Sequence, residues 1–355
     1  MRIALLTIWH VGNYGAELQA YATCRILEQL GHEVTIIDFR ENERMNESLK
    51  NKLARYVSSC TLSHFKFSVF WNKYFPKKTR HYHCYEELIA DPPLADLYLV
   101  GSDQVWNYKI TADKAEAFFL AFGPDKVKRA SYASSFGMNV WNASPQLTAT
   151  AKRMLSKFIA VSCRESSGIK ILRDVFDVHG VEVLDPTLLF DEYFGINCHN
   201  TTENGTLAYY PLSSNDELSS FSENLASKLG LRTNNINKKS LITNTIAWNR
   251  PSVKQWVEGI ARSSFVVTPS FHGLAFSLIY RKQFIIVNNN INQERKTRMT
   301  DLLRALSLED RFFDSIEKAK QSKIWEESID YDVVSLQLQK MQFSSIDYLK
   351  QLFQL

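Results

Sequence analysis

The opening segment, residues 1–39, most constrains how this chain can fold. Ile3 to Ile8 is a near-continuous apolar run, as expected of a strand buried on both faces. The loop HVGNYGAE follows, and apolar residues from Leu18 to Leu30 then recur at helical spacing up to Gly31, a helix stop. Val34 to Phe39 is again a strand. A βαβ unit of this kind requires a parallel sheet with a right-handed crossover.

The alternation continues along the chain. Leu97–Val100, Ala130–Ser134, Phe158–Ser162 and Val181–Leu184 read as strands, each followed by polar or Gly-containing residues. The polar stretch 195–205 reads as a linker. Beyond it, Leu207–Tyr210, Leu241–Ile246, Phe265–Thr268 and Phe284–Val287 read as strands. Asp216–Leu229, Ser252–Ala261, His272–Tyr280 and Thr300–Leu306 read as the helices among them. The expected fold is α/β, with two Rossmann-like doubly wound domains facing a cleft. They span 1–195 and 206–330, and a C-terminal helix, 331–355, packs back on the first. Ligands of such sheets bind outside the carboxyl ends of the strands.

Composition excludes several classes. A chain of 355 residues with 45% hydrophobic and 23% charged residues is an ordinary globular protein. Its net charge of +4 is small for a nucleic-acid binder. No apolar run approaches the ~20 residues that cross a bilayer, and MRIALLTIW is too short for a signal peptide. A cytoplasmic location, at or away from the inner membrane face, is therefore expected. Cys24, Cys60, Cys84, Cys163 and Cys198 show no zinc spacing and read as free thiols, and no cofactor or metal is expected. From Lys50 to Arg80 there are eight Lys or Arg residues, no acidic ones, and interleaved aromatics. Such a segment suits an anionic membrane surface or ligand, or a solvated face over a small satellite core.

Candidate chemistry falls where strands end. Ser270-Phe271-His272-Gly273 turns a strand into a helix, whose N-terminus suits a phosphate or carboxylate. His272 can pair with that anion, act as a general acid, or simply cap its own helix. Arg298, at the expected start of the next helix, can fork the same anion. Arg164 follows a buried strand, and reads as either an anion ligand or an ion-pair partner of Asp185. Asp103 and Trp106 read as a base and a platform for a sugar, or as a helix cap and a core residue. Gly12-Asn13-Tyr14-Gly15 is placed like a phosphate-gripping loop but lacks the full dinucleotide or P-loop spacing, and an acceptor contact by Asn13 or Tyr14 fits equally well.

The ordered set GNYGAELQAYA, VGSDQVWN, YASSFG, CRESSG, DPTLLF, TPSFHGLAFSLIYRKQFI and RMTDLL resembles the polysaccharide pyruvyl transferase family. The resemblance runs from residue 12 to about 311. It implies a GT-B-like fold, and transfer of pyruvate from phosphoenolpyruvate to a sugar of a polysaccharide or its lipid-linked precursor. It further implies that Arg164, His272 and Arg298 hold and activate the donor, and Ser270 and Gly273 of the same turn are expected to bind it with them. Other readings are a nucleotide-sugar glycosyltransferase of the same architecture, or a non-catalytic glycan-binding assembly protein.

Overall fold

The computed structural model describes residues 1–40, 62–75, 77–211, 216–238, 240–241, 248–288 and 293–354. The chain forms two units, one comprising Met1–Tyr56, Ser68–Leu189 and Met341–Leu355, the other Val57–Phe67 and Phe190–Lys340. The basic aromatic stretch up to residue 61, and most of the expected strand Leu241–Ile246, lie outside the described residues.

In the first unit, β1 (Arg2–Leu6) leads through α1 (Tyr14–Gln29) to β2 (Glu33–Phe39). After α2 (Leu62–Tyr74) come β3 (Lys78–Tyr82), β4 (Leu97–Val100) and β5 (Lys128–Ser131). The sheet order is β3-β2-β1-β4-β5, and every pairing is parallel. This is a Rossmann arrangement whose order reverses between β1 and β4, where a ligand crevice is expected. The apolar strands are buried on both faces because helices cover both.

The expected strand Phe158–Ser162 is reduced to β6 (Ser162–Cys163), paired in parallel with β7 (Val181–Glu182). Backbone pairing with the β5 side continues through single parallel bridges, with Ile159 N donating to Arg129 O at 2.8 Å and Ser131 N to Ala160 O at 3.1 Å, and serine hydroxyls add to it. Ser131 Oγ accepts from Ser162 N at 2.8 Å, and Ser162 Oγ accepts from Ala133 N at 3.1 Å. Between β6 and β7 runs α3 (Ser166–Phe176).

In the second unit, β8 (Thr206–Tyr209), α4 (Asp216–Lys228) and β9 (Arg232–Asn235) precede α5 (Val253–Ala261), begun by a Ser252/Gln255 capping box. Then follow β10 (Phe265–Thr268), α6 (Phe271–Ile279), β11 (Gln283–Val287), α7 (Gln293–Ala305) and β12 (Phe312–Phe313). The order β9-β8-β10-β11-β12 is again wholly parallel. Phe265, Val267, Ile285 and Val287 pack with Leu218, Phe221 and Leu225 of α4. The alternate residues of β10 and β11 therefore face α6.

The last helix, α8, covers Tyr331–Leu352. Its end belongs to the first unit, where Ser345 Oγ accepts from Leu184 N at 2.9 Å and Tyr348 donates to Ser131 O at 2.9 Å.

Candidate active site

Each unit assembles its own polar cluster at the carboxyl ends of its strands. In the second unit, Ser270 is the N-cap of α6, and its hydroxyl accepts from Gly273 N at 3.4 Å. Ser270, rather than His272, therefore caps this helix. Ser270 N in turn donates to Thr268 Oγ1 at 3.0 Å. A Cβ on Gly273 would stand 2.5 Å from Thr268 Oγ1 and 2.6 Å from its Cγ2. Glycine here lets α6 approach β10, which is the physical reason for its place in the turn. The space over its Cα is filled by Thr268.

His272 is buried, edge-on to Phe271 with ring centroids 5.4 Å apart. Arg298 brings its guanidinium carbon to 5.5 Å from the same Phe271 ring. It lies in the second turn of α7, which begins at Gln293 and not next to Arg298 as the sequence suggests. His272 and Arg298 thus flank one aromatic ring at the N-terminus of α6. That place combines a cation, an imidazole and the positive end of a helix dipole.

In the first unit, Arg164 and Asp103 come together, but inwardly. Arg164 Nη1 meets Asp185 Oδ2 at 2.7 Å, Nη2 meets Asp103 Oδ1 at 3.2 Å, and Nε lies 3.7 Å from Glu165 Oε2. The Arg164 side chain is 0% exposed. These carboxylates outweigh burial and raise the guanidinium pKa above its ordinary value. Asp185 is itself fixed by Ser102 Oγ at 3.0 Å and Thr187 Oγ1 at 2.7 Å. The fold directs Arg164 onto Asp185, the ion-pair alternative of the sequence reading. Asp103 keeps some exposure and holds a left-handed φ of 74°. Such a conformation is costly for a residue with a Cβ and recurs at functional sites.

The expected acceptor residues divide. Trp106 is fully buried, stacks on Phe119 and donates to Phe118 O at 2.9 Å, so it is core and not a sugar platform. Tyr14 is also buried. Asn13 is exposed, and its side chain caps α1 by accepting from Gly15 N at 3.0 Å.

Glu17 escaped the sequence reading although it ends the loop HVGNYGAE. Its carboxylate accepts from the backbone N–H groups of His10, Val11 and Gly12 and from the Trp71 indole at 2.8 Å. Burial pushes its pKa up to about 7 against the pull of those four donors. Its signal was position, three residues into a helix that follows a strand-end loop.

The family model for polysaccharide pyruvyl transferases matches residues 13–291. The chain belongs to the polysaccharide pyruvyl transferase family. No curated protein sequence matches this member. Among solved structures it is similar to a candidate UDP-N-acetylglucosamine 2-epimerase from Listeria monocytogenes, with TM-score 0.50 and 11% identity over 94% of this chain and 90% of that one. It is similar also to Arabidopsis thaliana UGT89C1 complexed with UDP, with TM-score 0.50 and 12% identity over 98% and 95% of the two chains. At such identities the likeness establishes the fold, two Rossmann-like domains of GT-B-like type. Among the described residues of this pyruvyl transferase family member, no cluster suits a metal ion and no helix is long and apolar enough to cross a membrane.

Proposed function

We propose that this chain is a phosphoenolpyruvate-dependent ketal pyruvyl transferase acting on a sugar of a polysaccharide or its lipid-linked precursor. The observation that carries the reading is the grouping of His272 and Arg298 around Phe271 at the N-terminus of α6. Phosphoenolpyruvate bears a carboxylate and a phosphate, and both suit a guanidinium and a helix N-terminus.

His272 delivers a proton to the methylene carbon of the donor, which leaves the central carbon cationic. One sugar hydroxyl adds there and loses its proton, for which Asp103 is the proposed base. A second hydroxyl then replaces phosphate at that carbon, its proton leaving with the phosphate, so that a cyclic ketal closes and inorganic phosphate is released. Fixed positive charge stabilises the departing phosphate. Membrane association is proposed for residues 50–80. In its described part, α2, Phe65 is 60% exposed and Val69 is exposed beside it, which supports that reading.

Mass spectrometry of candidate glycolipids incubated with phosphoenolpyruvate tests the proposal. The expected product gains a pyruvyl group less water, with stoichiometric phosphate release. Turnover of a sugar nucleotide with nucleotide release would overturn it.

A further inference from the structure

Asn288 directly follows β11 and is 1% exposed. Its backbone N–H donates to Phe313 O at 2.8 Å, so strand pairing uses the main chain. Neither Nδ2 nor Oδ1 of its side chain has a hydrogen-bond partner among the described residues. A buried carboxamide with both ends unpaired is costly, and folds retain such a group where something else satisfies it.

Its position identifies that something. Thr268 pairs with Ile286 in the β10–β11 ladder, and Ser270 and Asn288 each lie two residues further on. Ile285 and Val287 face α4, so alternation assigns Asn288 to the α6 side of the sheet, the side on which Thr268 meets Gly273. The unpartnered carboxamide and the N-terminus of α6 thus share one edge of one face.

We propose that Asn288 is a donor-binding residue: its Nδ2 donates to an anionic oxygen of the substrate held at the His272 turn, and its Oδ1 accepts from the attacking hydroxyl. Naming the anion as phosphoenolpyruvate rests on the proposed pyruvyl transfer. The anion site itself does not. A carboxamide suits this role because it offers a donor to the anion and an acceptor to the hydroxyl, from one rigid plane.

Thermal melting of the parent, Asn288→Leu and Asn288→Asp, with and without phosphoenolpyruvate or inorganic phosphate, tests the inference. Ligand-free Asn288→Leu is expected to melt at or above the parent, because an apolar side chain of similar size replaces an unpaired amide. Its affinity for phosphoenolpyruvate should fall on the order of tenfold, and Asp should abolish the response by repulsion. An unchanged ligand response in Asn288→Leu would overturn the inference. So would a ligand-free melting point several degrees lower, which would reveal a structural partner for the amide. A parent stabilised by phosphate but not by phosphoenolpyruvate, with the response lost in Asn288→Leu, would sustain the anion site and sink the pyruvyl donor. A parent that responds to neither overturns both.

Discussion

The guanidinium carbon of Arg298 stands 5.5 Å from the ring centroid of Phe271, the residue between the helix cap Ser270 and His272. One buried ring therefore sets the spacing of a cation on α7 from an imidazole on α6. A cation–π pair of this kind contributes about 0.5–2 kcal/mol, enough to bias the Arg298 rotamer.

Phe271→Leu keeps the helix and removes the π face. Its expected effect is a several-fold rise in KM for phosphoenolpyruvate with little change in kcat, since the proton donor stays in place. Arg298→Ala should cost tenfold or more in donor affinity, about 1.4 kcal/mol or above. Steady-state kinetics with donor varied check both. Equal KM values in Phe271→Leu and the parent would separate the ring from the site.

Gly273→Ala sets two effects against each other. Alanine favours a helix by about 1 kcal/mol over glycine. The new Cβ, however, would press within 2.5 Å of Thr268 Oγ1 in a packed interior, an overpacking that costs about 1–3 kcal/mol. Net destabilisation is expected in urea titrations. Adding Thr268→Ala should recover part of it, giving a coupling that a double-mutant cycle reads directly.

Arg164→Met leaves Asp185, Glu165 and Asp103 facing one another without their shared cation. Loss of one member of a buried ionic cluster costs about 3–5 kcal/mol. Arg164→Lys, which keeps charge without the fork, should fall between this variant and the parent. Denaturant midpoints order the three.

Glu17 gives a pH dependence of defined sign. Burial raises its folded pKa from 4.5 to about 7, so the folded state holds a proton that the unfolded state has released. Its contribution is fully present below pH 4.5 and is lost as pH rises through about 7. The full swing is on the order of 3 kcal/mol at 1.36 kcal/mol per pKa unit. Melting temperature followed from pH 5 to 8 should carry this decline in the parent. Glu17→Gln should lack it, and should be less stable at pH 5 because its amide NH2 opposes N–H donors.

The fold was legible wherever burial on both faces wrote itself as an apolar run. Leu97–Val100 and Phe265–Thr268 are strands over the residues read from sequence, because central parallel strands need nothing else. Phe158–Ser162 pairs with the β5 side as read, but in pieces, because serine hydroxyls share its ladder with the backbone. The second-unit turn was legible because its helix cap, glycine and histidine are neighbours in sequence. For Arg164 the sequence offered the Asp185 ion pair as one of two readings, but not its second partner Asp103, which lies far from it in the chain. For Trp106 the sequence left platform and core side by side, because a residue just past a strand end can point outward or back into the core. Nothing in the sequence around Asn288 marks its amide as buried.

The first unit contains residues 341–355, whose Ser345 and Tyr348 satisfy Leu184 N and Ser131 O. Synthesis of the intervening chain must therefore finish before that unit can close its own hydrogen bonds. While the second unit emerges from the ribosome, the first waits with Leu184 N, beyond β7, lacking its hydroxyl partner. A chain halted before residue 341 would carry its defect not at the point of arrest but in the portion made first.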